Sequence, residues 1–71
     1  MLNKFMSESR KPPVEENEVL QDLYIESVGS SLDGVGKFNG FVIFVPDTVI
    51  GDNVDVLIKM VKPNFAFAEK L

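Results

Sequence analysis

Two phenylalanine clusters hold the side chains of this chain that are best suited to chemistry. One cluster flanks an Asn-Gly pair in the stretch Phe38-Asn39-Gly40-Phe41-Val42-Ile43-Phe44, and the other is Phe65-Ala66-Phe67. Phenylalanine rings stack on flat π systems, and every nucleic-acid base presents a π-face, so such rings bind unpaired bases with little sequence preference. If the two clusters occupy adjacent strands, they form one stacking surface.

Catalytic chemistry is disfavoured by the residue types that the chain lacks. It has no histidine and no cysteine, so the commonest general base, the commonest metal ligand and the thiolate nucleophile are all missing. The serines have no histidine to activate them, and no Gly-Lys-Ser/Thr follows the Gly34-Val35-Gly36 segment to make a phosphate loop. The spacing of the aspartates fits no calcium loop. We therefore expect no enzymatic activity, no cofactor and no metal.

The pattern of apolar residues predicts that short β-strands hold the rings. Asn39-Gly40 is a strong signal for a two-residue type I′ hairpin turn, because both residues tolerate positive φ. Elsewhere, runs rich in β-branched and aromatic residues alternate with turn residues. We predict five strands: Leu20–Val28, Val35–Phe38, Phe41–Val45, Val54–Val61 and Asn64–Lys70.

Alternation along the strands predicts which side chains face the core. In the fourth strand one face is wholly apolar, and we expect it to point inward: Val54, Val56, Ile58 and Met60. In the fifth strand Ala66 and Ala68 are small enough for a crowded interior, which places Phe65 and Phe67 outward. The pattern alone also allows the reverse arrangement, with the two phenylalanines in the core.

Five short strands are too few for two packed sheets, so closure into one small barrel is the simplest way to bury one face and remove exposed edges. We predict an all-β, five-stranded antiparallel barrel at residues 18–71. Residues 1–17, with adjacent prolines and little hydrophobic periodicity, are expected to form a flexible arm. No apolar run approaches the roughly 20 residues that cross a bilayer. Since the chain also lacks cysteine, we expect a cytoplasmic protein.

Five pieces of the sequence, taken together, resemble the TRAM domain. They are IESVG (25–29), DGVGK (33–37), NGFVIFVP (39–46), GDNV (51–54) and FAFAE (65–69). This domain is appended to tRNA uridine methyltransferases and tRNA methylthiotransferases, and it occurs as a free-standing archaeal protein. The resemblance implies an OB-like barrel that binds RNA. For a stand-alone archaeal member it also implies a cold-shock-like RNA chaperone acting on single-stranded or weakly structured RNA, with tRNA a candidate.

The resemblance also implies which residues contact RNA. The family uses a basic residue before the hairpin and aromatic residues on the hairpin and last strand, and the matching positions here are Lys37, Phe41, Phe44, Phe65 and Phe67. Arginine is frequent at the basic position, so the lysine keeps the charge without the planar fork. Phe41 and Phe44 have opposite parity on an ideal strand, so Phe41 reaches RNA only at the turn or beside a bulge. Otherwise it covers the barrel end.

The charge of the chain opposes RNA binding. The net charge is −4, and from Val19 onward four lysines face seven acidic residues. RNA binding therefore needs a local basic patch, for which we predict Lys37, Lys62 and Lys70 near the aromatic face. The alternative is a protein-interaction module, in which the same phenylalanines anchor a ribosomal or tRNA-modification protein.

Overall fold

The computed structural model describes residues 11–71, which form five strands closed into a barrel. The strands are β1 (Val19–Val28), β2 (Gly34–Phe38), β3 (Phe41–Val45), β4 (Asn53–Val61) and β5 (Phe65–Lys70). Their order around the barrel is β1-β2-β3-β5-β4, and β4 pairs back to β1. The predicted five-stranded all-β barrel is confirmed. Residues 11–71 contain no helix that is long and apolar enough to span a membrane.

One of the strand pairings is parallel, whereas the prediction was an antiparallel barrel. β3 and β5 run in the same direction, and the other four pairings are antiparallel. The reason is geometric: strand directions cannot alternate all the way around a closed ring with an odd number of strands. The parallel pair is also what places the hairpin phenylalanine beside those of the last strand, with Phe44 opposite Phe67.

Small and branched aliphatic side chains fill the barrel interior. The core consists of Val14, Leu20, Leu23, Ile25, Ile43, Val45, Val56, Ile58, Ala66 and Ala68. Ala66 is 0% and Ala68 is 3% exposed, so the inward alanines and outward phenylalanines of β5 are confirmed. The reverse arrangement of this strand is excluded.

The hairpin between β2 and β3 has the predicted two-residue turn. Asn39 and Gly40 both have positive φ, at 52° and 80°, and Phe38 lies opposite Phe41 across the turn. Both phenylalanines are partly buried and pack against the core. They therefore cover this end of the barrel.

Glycines in β2 permit the tight curvature of the barrel wall. A Cβ on Gly36 would lie 2.8 Å from both Leu23 Cγ and the carbonyl oxygen of Tyr24. A Cβ on Gly34 would overlap Thr48 Oγ1, and this buried hydroxyl donates to the Val45 carbonyl oxygen at 2.9 Å. The backbone of β2 thus lies closer to neighbouring residues than a side chain at position 34 or 36 would allow.

A β-bulge in β4 overturns the predicted orientation of Met60. Ile58 lies opposite Ala68 and Met60 lies opposite Phe67, so β4 contains one extra residue, Lys59, at this point. The extra residue reverses the inward and outward alternation. Ile58 is fully buried as predicted, but Met60 is 45% exposed and lies on the outer face.

The described part of the predicted arm contributes to the barrel. Val14 is 3% exposed and belongs to the core. The backbone N–H of Asn17 donates to the Ile58 carbonyl oxygen at 2.7 Å. Val14 and Asn17 therefore attach this stretch to the barrel, while residues 1–10 of the predicted arm lie outside the described residues.

Candidate nucleic-acid interface

Three phenylalanines meet on the outer face of the barrel, where β3 lies beside β5. The centroids of the Phe44 ring and the Phe65 ring are 5.6 Å apart, those of Phe44 and Phe67 are 5.6 Å apart, and those of Phe65 and Phe67 are 5.4 Å apart. We call these three residues the aromatic triad. Two predicted clusters that are about twenty residues apart in sequence thus form one surface, as the stacking hypothesis requires.

The rings of the triad have different orientations. Phe44 and Phe67 are inclined by only 32°, whereas Phe65 stands edge-on to both, at 80° and 88°. Edge-to-face packing between aromatic rings is favourable and holds the rings in place. Phe67 is 38% exposed, and the other two rings are half-buried. The triad therefore offers fixed, partly exposed rings to a flat ligand.

Aliphatic side chains extend the apolar surface on both sides of the triad. Met60 lies opposite Phe67 on β4, and Val35 lies opposite Phe44 on β2. Sequence reasoning assigned Met60 to the core, because alternation gave no sign of the bulge beside it. The result is an apolar row that crosses four strands, from Met60 through Phe67 and Phe44 to Val35.

A pocket of about 350 Å³ adjoins the triad. The triad forms its apolar side, and the loop between β1 and β2 forms its polar side through Gly29, Ser30, Ser31 and Asp33. The volume lies at the lower end of the range that small-molecule pockets occupy. Nothing in the composition of this loop indicates which strands it will cover.

Lys37 and Lys62 lie on the same face as the triad or directly beside it. Lys37 is opposite Val42, which is opposite Phe65, so the Cα atoms of Lys37 and Phe65 are about 10 Å apart at ordinary strand spacing. Lys62 begins the β4–β5 turn, and its N–H donates to the Phe65 carbonyl oxygen at 2.8 Å. Both side chains are exposed. Two of the predicted lysines are thus near the rings.

The other charges near this face limit its positive potential. Between residues 11 and 71 two ion pairs form, one between Lys37 Nζ and Glu26 Oε2 at 3.5 Å and one between Lys59 Nζ and Glu69 Oε1 at 3.7 Å. Exposed pairs of this kind contribute little stability and exchange partners readily. Lys70, the third lysine of the predicted patch, instead donates from Nζ to the main-chain oxygen of Asp47 at 3.0 Å.

Phe41 does not join the aromatic triad. It packs against the core at the hairpin end of the barrel, on the opposite side of β3 from Phe44. Phe41 and Phe44 thus lie on opposite sides of β3, as their opposite parity in the sequence predicts. Among residues 11–71 no group of three or more histidine, cysteine, aspartate or glutamate side chains is arranged to hold a metal ion.

Comparison with known proteins identifies the barrel. The family model of the TRAM domain matches residues 14–71. The chain belongs to the TRAM domain family. The TRAM domain is an RNA-binding domain found in RNA methyltransferases and translation factors, and the aromatic triad lies on the surface of this domain.

Relatives of this TRAM protein are both small and large. An uncharacterized protein of Methanocaldococcus jannaschii is 47% identical over 62 residues, covering 87% of this chain and 79% of the relative. A ribosomal RNA large subunit methyltransferase E of Methanosarcina mazei is 51% identical over 45 residues, covering 63% of this chain but only 17% of the enzyme. The match to the methyltransferase thus covers only a small part of that enzyme.

The fold is also present in a solved structure. The solution structure of a conserved protein of Methanococcus maripaludis superimposes with a TM-score of 0.79 at 38% identity, and the match covers 86% of each chain. A further relative is the translation initiation factor 2 subunit beta of Methanothrix thermoacetophila, which is 45% identical over 56 residues. That match covers 79% of this TRAM protein and 26% of the factor.

Proposed function

We propose that this TRAM protein is a non-catalytic RNA-binding protein that stacks unpaired bases on Phe44, Phe65 and Phe67. The observation that carries the proposal is the triad itself, with three rings within 5.6 Å of one another on the outside of the barrel. Each base stacked on an aromatic side chain contributes roughly 1–3 kcal/mol. Two or three stacked bases, together with phosphate contacts, supply micromolar binding, for which about 8 kcal/mol is needed.

The phosphate contacts in this proposal come from Lys37 and Lys62. Both flank the triad, and the Glu26 partner of Lys37 is exposed enough to be replaced by a phosphate. Phe41 is a less direct candidate than its matching position in the family suggests, because it lies at the hairpin end of the barrel. Its contribution is the support of the β2–β3 turn.

We further propose that stacking makes the protein an RNA chaperone that works without ATP. A base held on a phenylalanine ring is unavailable to its pairing partner, so binding stabilises the open form of a weak hairpin. The equilibrium between closed and open hairpin shifts towards the open form, because the protein binds the open RNA more tightly than the closed RNA. This difference in binding free energy is the only energy source that the mechanism needs. A cytoplasmic location and single-stranded or weakly structured RNA, with tRNA a candidate, fit this role, as do relatives named for ribosomal RNA methylation and translation initiation.

Fluorescence anisotropy tests RNA binding directly. A labelled, unstructured RNA of about 12 nucleotides is titrated with the wild-type protein and with the Phe65→Ala/Phe67→Ala variant, after circular dichroism has shown that both are folded. We expect the double variant to bind at least about tenfold more weakly, which corresponds to about 1.4 kcal/mol.

Tyr24→Ala is the matched control for this experiment. Tyr24 is an exposed aromatic residue, at 53% exposure, on β1, and β1 is separated from the triad strands by β2 on one side and β4 on the other. Its loss should leave the affinity unchanged. Failure of the folded wild-type protein to bind RNA at low salt would refute the proposal and favour a protein partner for the aromatic face.

A hairpin-opening assay tests the chaperone proposal separately. An RNA beacon with a weak stem carries a fluorophore and a quencher at its ends. We expect the wild-type protein to raise the fluorescence without ATP and the double variant not to do so. RNA binding without beacon opening would leave an RNA-binding protein but exclude the chaperone mechanism.

A further inference from the structure

The pocket beside the triad combines an apolar floor with a polar rim. Its floor is the triad, and its rim is the loop of residues 29–33. The loop is held against a ring: a Cβ on Gly29 would lie 4.0 Å from Phe44 Cε1, and the Gly29 N–H donates to the main-chain oxygen of Asp33 at 2.9 Å. A base stacked on the triad at this point therefore has its edge towards the loop.

Asp33 is the aspartate that lines this pocket, and it is half-buried, whereas Asp22 and Asp47, whose carboxylates also have no partner within residues 11–71, are exposed. Oxygens of the Asp52 and Asp55 carboxylates accept backbone N–H groups at 3.1 and 3.0 Å, so these side chains hold the backbone. Within residues 11–71 no hydrogen bond or ion pair engages the Asp33 carboxylate. Since Gly34 faces inward and Val35 outward, alternation places Asp33 on the outer face, where it is half-buried.

We propose that this pocket reads the Watson–Crick edge of a stacked base through the Asp33 carboxylate and thereby selects guanine. The proposal rests on the proposed RNA-binding function. An ionised carboxylate only accepts hydrogen bonds, through two oxygens. Guanine presents two neighbouring donors, N1–H and the N2 amino group, and so matches both oxygens.

The other bases match the carboxylate less well. Adenine and cytosine each present a single amino group on this edge, beside a ring nitrogen that only accepts. Uracil presents N3–H between two carbonyl oxygens, which the carboxylate repels. The expected order of preference is therefore guanine, then adenine and cytosine, then uracil. The hydroxyls of Ser30 and Ser31, on the same rim, both donate and accept, so they do not change this order.

The negative charge of Asp33 favours a role in selecting particular bases over a role in binding RNA of any sequence. A carboxylate beside an RNA-binding surface repels phosphates and lowers the affinity for every RNA. It raises affinity only where a base offers donors to it, and charge-assisted hydrogen bonds of this kind are stronger than neutral ones. Asp33 thus weakens binding to uracil while strengthening binding to guanine.

The test compares two unstructured RNAs of about 12 nucleotides by anisotropy: one of uridine only, and one in which three separated uridines are replaced by guanosine. We expect the wild-type protein to bind the guanosine-containing RNA about fivefold more tightly or better, the discrimination of a good bidentate base contact. Asp33→Asn should remove most of this preference and tighten binding to the uridine RNA. Asp22→Asn is the matched control, because it removes the same charge at an exposed position on β1.

Inosine in place of guanosine gives a second readout. Inosine lacks the N2 amino group but keeps N1–H, so its preference over uridine should be smaller than that of guanosine. Equal binding of both RNAs by the wild-type protein, or an unchanged preference in Asp33→Asn, would overturn the guanine inference while leaving RNA binding intact. Absence of binding to either RNA would instead refute the proposed function.

Discussion

The dependence of RNA affinity on salt follows from the few cations beside the triad. Lys37 and Lys62 adjoin Phe65 through the sheet and the β4–β5 turn, and a phosphate replaces the exposed Glu26 partner of Lys37. Lys59 and Lys70 lie beside Glu69 and the main-chain oxygen of Asp47 instead. Each phosphate contact to a single strand contributes about −0.7 to the slope of log affinity against log salt. Two contacts give a slope of about −1.4, so raising salt from about 50 to about 200 mM should weaken binding about sevenfold.

The assay is the anisotropy titration repeated at several salt concentrations with one RNA. Lys62→Ala should make the slope of log affinity against log salt less negative by about 0.7, because one phosphate contact is lost. Lys70→Ala removes the same charge at a lysine whose Nζ donates to the main-chain oxygen of Asp47, so it should leave the slope unchanged. A wild-type slope steeper than about −3 would refute the reasoning, because it would require more phosphate contacts than the lysines of this face provide.

Four further substitutions test other parts of the structure. Gly36→Ala should destabilise the barrel by about 1–3 kcal/mol in urea unfolding, because its Cβ would lie 2.8 Å from a buried leucine carbon; a variant as stable as the wild type would contradict the close approach of β1 and β2. Ile58→Ala should cost about 2–5 kcal/mol, whereas Met60→Ala, at a residue 45% exposed, should cost under about 1 kcal/mol but weaken RNA binding. Equal destabilisation by these two variants would argue against the bulge. Glu26→Gln should tighten RNA binding, since it releases Lys37 and removes a negative charge; unchanged affinity at low salt would show that Lys37 does not contact phosphate.

Local chemistry explains why much of the barrel is predictable from the sequence. The hairpin turn follows from the tolerance of Asn39 and Gly40 for positive φ, which is a property of the two residues alone. The outward position of Phe65 and Phe67 follows from alternation, since the neighbouring alanines are the residues small enough for the interior. Both features depend on contacts within one strand or one turn.

The sequence by itself thus determined the strands, the turn and the two aromatic clusters, but tertiary structure decided how they combine. The parallel pairing of β3 with β5 arises from closing an odd number of strands, and it alone brings Phe44 against Phe67. The bulge that turns Met60 outward depends on the register between β4 and β5. The pocket forms because the β1–β2 loop lies against Phe44 on β3, a strand that this loop does not connect. Alternation and turn propensity act over a few residues, whereas barrel closure, register and loop contacts depend on residues far apart in the chain, which local patterns do not encode.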